Sequence, residues 1–139
     1  LDRQLISFHG QELSGFQTNL SELESWVATC LAQLEKNTYV VTYVFMNNKE
    51  HLKLNQKALQ HDYYTDIITF DLSEDYLHAE IYINLDMVAE NAISYSSSNT
   101  NELKRVMIHG ILHLCGFDDR TDEDKAIMRE KEDEFIDLI

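Results

Sequence analysis

Residues Val106–Asp119 (VMIHGILHLCGFDD) constrain the fold more than any other stretch of this 139-residue chain. Val106, Met107, Ile108, Ile111, Leu112 and Leu114 are apolar almost all round a helix, the pattern of a helix buried at the centre of a domain. His109 and His113 stand four apart on it, so they share one face, one turn apart. Buried imidazoles need partners, because an unpaired buried polar group costs about 1–3 kcal/mol. Hydrogen bonds from each ring to backbone carbonyls are one solution. A cation shared by both rings, as on the HExxH zinc helix, is the other. A third donor, Asp119, lies beyond His113, and an unbroken helix would carry it about 9 Å along the axis. Gly116 is placed to stop the helix, since glycine takes the left-handed conformation that ends helices. The spacing therefore predicts a chain that turns back and brings Asp119 to the two rings.

The run His109-Gly110-Ile111-Leu112-His113-Leu114-Cys115-Gly116-Phe117-Asp118 resembles the signature H-G-x-L-H-L-x-G-[YF]-D-H of the YbeY family, with Asp119 in place of the last histidine. Thr65-Asp66-Ile67-Ile68-Thr69-Phe70 resembles a second family block, T-D-V-L-S-F. Leu54-Asn55 matches a preceding L-N, and Ala79-Glu80-Ile81-Tyr82-Ile83 corresponds to a later G-D-I-x-I. These blocks come in family order and span most of the chain. Leu59 stands where the family usually carries an arginine, and Tyr64 and Asp71 where it carries prolines. The resemblance implies an α+β fold, a mixed four-stranded sheet sandwiched by helices with the histidine helix central. It also implies a metal-dependent, single-strand-specific endoribonuclease of rRNA maturation and ribosome quality control, acting in the cytoplasm on RNA and the ribosome.

Three protein ligands, His109, His113 and Asp119, leave a tetrahedral zinc one position for water and lower that water's pKa to near 7. Zinc is the expected cofactor, one ion per chain. Because Asp119 is anionic where the family has a neutral ring, it cancels part of the cation's charge and widens the site's tolerance to harder ions such as manganese or iron. The nucleophile, water or the RNA 2′-hydroxyl, stays open. Two other readings share the histidine block. One is a ribosome-assembly factor whose metal only fixes the fold. The other is a metallopeptidase, disfavoured because Gly110 stands where that chemistry needs its glutamate base.

A formal charge of −14 argues against unspecific nucleic-acid binding, which runs on basic surface. One stretch leans basic: Lys49, Lys53 and Lys57, with His51 and His61 nearby. Spaced four apart, the lysines form one stripe if helical, which either contacts phosphate or is simply a solvated face. Cys30 and Cys115, the only cysteines, suit a reducing compartment better than a disulfide framework. No apolar run approaches the roughly 18 residues of a membrane span. The length suits one domain over residues 1–139.

Elsewhere the chain reads as mixed strands and helices, giving an α+β or α/β layered domain. Leu1–Phe8 suggests a first strand. Ser21-x-x-Glu24 forms a candidate capping box ahead of an amphipathic helix carrying Leu23, Trp26, Val27, Cys30, Leu31 and Leu34. Tyr39–Met46 predicts a strand apolar enough for burial on both faces. Lys49–Leu59 predicts a short helix, Thr65–Leu72 and Glu80–Asn84 strands, and Asp86–Ser94 a helix. Asp66 reads either as a brace near the site or as a catalytic group. Tyr95–Thr100 reads as a connection, with Asn99-x-x-Glu102 capping the histidine helix. Thr121-x-x-Asp124 starts the last helix, with Ile127, Met128, Phe135 and Leu138 as its apolar positions and its charges forming a solvated face.

Overall fold

Four strands form one sheet in the order β1-β2-β4-β3, in a computed structural model that describes residues 3–138. β1 (Gln4–Gly10) pairs in parallel with β2 (Tyr39–Met46), and β2 pairs in parallel with β4 (Leu77–Asn84). β3 (Ile67–Asp71) runs antiparallel to β4, so the sheet is mixed. Parallel neighbours need crossover connections. α1 (Leu20–Gln33) joins β1 to β2, and α2 (Asn48–Leu59) leads from β2 toward the β3–β4 hairpin. After β4 come α3 (Leu85–Ser94), α4 (Asn99–Leu114) and α5 (Asp122–Ile136). Leu1 and Asp2, placed in the first strand by the sequence pattern, lie outside the described residues.

The core lies on one face of the sheet. Tyr39, Val41, Tyr43 and Phe45 of β2 and Leu77, Ala79, Ile81 and Ile83 of β4 are buried there with α1, α4 and α5. The expectation that β2 is buried on both faces fails. Its residues alternate strictly between buried and half-buried, so its second face is only partly covered. α4 is held to this core at close range. Tyr43 Oη donates to the Met107 carbonyl at 3.1 Å, which meets the need of a wholly buried hydroxyl. A Cβ built on Gly110 would stand 3.1 Å from Ile67 Cδ1 and from Thr69 Oγ1, and 3.2 Å from Ile81 Cδ1. Gly110 thus lets α4 pack tightly on the sheet, where any larger side chain would have to push those side chains aside.

Trp26 Nε1 donates to the Phe135 carbonyl at 2.8 Å, tying α1 to the end of α5. Two caps differ from expectation. Asn19, not Ser21, caps α1 by accepting from the Glu22 amide. Ser98, not Asn99, caps α4 by accepting from the Asn101 amide, which leaves Glu102 to turn inward and be buried. The Thr121 box forms as expected, Thr121 accepting from Asp124 N and Asp124 reaching back to Thr121 N. On α5, Ile127 is 45% exposed, and the buried stripe is Met128, Glu132, Phe135 and Ile136. β4 begins three residues before the expected start, at Leu77, and β3 excludes Thr65, Asp66 and Leu72.

Candidate functional site

His109 projects from α4 toward α5, where its Nδ1 lies 2.7 Å from Oε2 of Glu132. An ionised carboxylate only accepts, so Nδ1 carries the proton and Nε2 of the neutral ring keeps its lone pair. That Nε2 stands 3.5 Å from Oδ2 of Asp119. The hydrogen bond to Glu132 holds the His109 imidazole above its ordinary pKa, against the opposing effect of burial, and Asp119 and Asp66 add to the rise. Glu132 is in turn fixed: its Oε1 receives Arg105 Nη1 at 3.0 Å, and the same guanidinium pairs with Asp133. The run Asp119–His109–Glu132–Arg105 therefore crosses from a loop to α4, to α5 and back.

Asp119 gets there because the helix stops. α4 ends at Leu114, and Gly116 takes φ +100°, with Phe117 N donating to the Leu112 carbonyl at 3.1 Å. Phe117 is half-buried against the core, which fixes the direction of the returning chain. This is the break predicted from Gly116, and it places the carboxylate beside one of the two rings.

His113 does not join them. It is exposed in the last turn of α4 and lies outside the cavity that His109 and Asp119 share. Among the described residues, no three His, Cys, Asp or Glu side chains are gathered so as to hold a metal ion. The donors partly fit one: the His109 ring is oriented from behind by a carboxylate, as metal-bound imidazoles usually are, and a second carboxylate stands before it. The third donor is one turn along the same helix.

The cavity beside His109 has a volume of about 360 Å³. Asp66 lines it, at the entrance to β3. Its backbone carbonyl accepts from Asn84 N at 2.9 Å, and its Oδ2 lies 3.5 Å from Asn91 Nδ2. Burial raises the Asp66 carboxyl above the usual carboxylate range, although His109 opposes the rise. Asp66 thus braces its loop and also faces the site. Glu102 lines the cavity as well, 4% exposed, with an Oε1 that has no hydrogen-bond partner among the described residues.

Lys49, Lys53 and Lys57 are exposed along α2 as the spacing predicted, but none lines this cavity. His51 is not part of that basic surface. It is fully buried, its Nε2–H donates to the Tyr82 carbonyl at 2.9 Å, and burial lowers its pKa. Leu59 closes α2 and is 40% exposed. The cations that do line the cavity are Arg105, Lys125 and Arg129.

Sequence reasoning missed Arg105 on α4, and missed Glu132 by placing the charges of α5 on a solvated face. One signal was available. Met128, Glu132 and Phe135 recur at i, i+4 and i+7, so a carboxylate interrupts an apolar stripe, and buried carboxylates are paired.

The profile of the family described as "Endoribonuclease YbeY" matches residues 9–139. A protein of Flavobacterium psychrophilum named "Endoribonuclease YbeY" is 43% identical over 115 residues, 82% of this chain and 82% of that one. One of the same name from Phocaeicola vulgatus is 37% identical over 136 residues, 97% of this chain and 99% of its own. Among solved structures, the solution structure of TM1509 from Thermotoga maritima superposes with a TM-score of 0.68 at 30% identity, covering 95% of this chain and 87% of that chain.

Proposed function

This chain belongs to the YbeY family of endoribonucleases, and on that premise we propose that it cleaves single-stranded RNA in rRNA maturation and ribosome quality control, in the cytoplasm, as one domain over residues 1–139. The family acts with metal, and in our reading His109, His113 and Asp119 hold one divalent cation, zinc first, with manganese or iron tolerated because of the carboxylate. A divalent cation bound there supplies Lewis-acid polarisation of a phosphoryl oxygen and acidifies water at neutral pH.

The observation that carries this reading is the return of Asp119 to 3.5 Å from Nε2 of His109, with Nδ1 already engaged by Glu132. Only Nε2 is left to act as a ligand. In this reading His113, exposed one turn further along α4, supplies the third donor. Glu132 fixes the His109 tautomer, and Arg105 keeps Glu132 in place. Asp66 and Glu102 line this cavity with carboxyls that burial raises above the usual range, so both are suited to hold a proton for a departing ribose oxygen. Lys49, Lys53 and Lys57 are a more distant row for the phosphates of a longer RNA.

The test combines elemental analysis of protein purified without chelator with digestion of a single-stranded RNA by wild type and by His113→Ala. Stoichiometric divalent metal and cleavage in wild type, both lost in a variant that still folds, is the expected result. Cleavage that persists in His113→Ala counts against the ligand set. Metal without any RNA cleavage by wild type would favour the assembly-factor reading.

A further inference from the structure

We propose that the cavity beside His109 carries a nucleotide subsite, in which the ring of Tyr95 takes a base of single-stranded RNA and Lys125 and Arg129 take the adjoining phosphate. This rests on the ribonuclease reading above. Tyr95 caps the end of α3 and is 60% exposed, although it lines the same cavity as His109 and Asp119. The Arg129 guanidinium lies over the ring, 5.5 Å from its centroid. A cation on one face steadies an exposed aromatic ring and leaves the opposite face to a stacking partner. Base stacking on such a ring is sequence-tolerant, because every base has a π-face.

Lys125 and Arg129 are four apart on α5, and therefore on one face. Both are exposed, and both line the cavity. The third cation there, Arg105, is already committed to Glu132 and Asp133. Among the described residues Lys125 forms no ion pair. In a chain of net charge −14, with Asp66, Glu102, Asp119 and Glu132 lining the same cavity, Lys125 and Arg129 are the cations left to draw in a phosphate. A volume of about 360 Å³ lies within the range of small-ligand sites and admits a base at the mouth.

The experiment measures two things in wild type, Tyr95→Ala, Tyr95→Phe and the double variant Lys125→Gln/Arg129→Gln. One is anisotropy of a fluorescent single-stranded deoxyoligonucleotide, which lacks the 2′-hydroxyl. The other is kcat and KM on a single-stranded RNA across a salt series. Tyr95→Ala is expected to weaken binding and raise KM about 5- to 150-fold, the range for removing the ring beneath one stacked base. Tyr95→Phe, which keeps the ring, should recover most of that loss. The double variant should flatten the plot of log affinity against log salt by about 0.7 for each phosphate it no longer neutralises. Wild-type affinity and an unchanged salt slope in both Tyr95→Ala and the double variant would overturn the subsite. Binding that depends on Tyr95, in a protein that cuts no RNA, would instead leave the subsite standing and remove the ribonuclease reading.

Discussion

Glu132 accepts the Nδ1 proton of His109 across 2.7 Å, joining two helices through a side chain only 6% exposed. A carboxylate behind an imidazole fixes its tautomer and raises its basicity as a ligand. Here the carboxylate is itself anchored by Arg105, so the orientation of the ring depends on the docking of α5.

Glu132→Gln should weaken divalent-metal affinity about 10- to 100-fold while the fold persists, the usual effect of removing such a partner. Competition titration against a chromophoric chelator measures it. An affinity equal to wild type would assign Glu132 to packing alone.

The same hydrogen bond makes metal-free stability depend on pH. His109 has a folded pKa above its ordinary 6.5, mainly through Glu132. Its contribution is complete below the unfolded value and fades as pH rises through the folded one, because the folded state binds the extra proton. Thermal midpoints of the chelator-treated protein should fall as pH rises from 6.5 through that window, and less steeply in Glu132→Gln. Parallel slopes in the two proteins would place the titration elsewhere.

Glu102 shifts stability with pH in the same direction, for a different reason. Burial raises its carboxyl above the ordinary 4.5, more than Arg105 and Arg129 lower it. Ionising it therefore costs more in the folded chain than in the unfolded one, and the penalty grows as pH rises through the folded pKa. Glu102→Gln should raise the thermal midpoint at neutral pH by a few degrees, as expected for about 1 kcal/mol. The gain should vanish below pH 4.5, where both forms of wild type are protonated. Destabilisation at neutral pH would mean that the carboxylate has a role as an anion.

Gly116 at φ +100° has no atom within 4 Å of an added Cβ, so a substitution there tests backbone strain alone. Gly116→Ala should cost about 1–2 kcal/mol, and Gly116→Asn less, because asparagine tolerates the left-handed region. Chemical denaturation reads the cost. Metal titration should show a parallel loss, because the return of Asp119 to His109 follows from that turn. Full affinity in Gly116→Ala would separate the turn from the site.

What local sequence determined is what neighbouring residues decide among themselves. The apolar surround of α4, the four-residue spacing of His109 and His113, the stop at Gly116, the span of β2 and the Thr121 cap all rest on periodicity or on one residue's backbone freedom. Where two local solutions compete, the pattern alone does not choose. Asn19 and Ser21 are both able to cap α1, and Ser98 and Asn99 both able to cap α4; the structure uses Asn19 and Ser98. Only tertiary structure set Glu132 against His109, 23 residues away, buried His51 beneath an exposed lysine row, and placed Tyr95, Lys125 and Arg129 around one cavity. A charged residue on a helix reads the same in sequence whether it meets water or an imidazole. The difference is made by the element docked opposite, which no local pattern encodes.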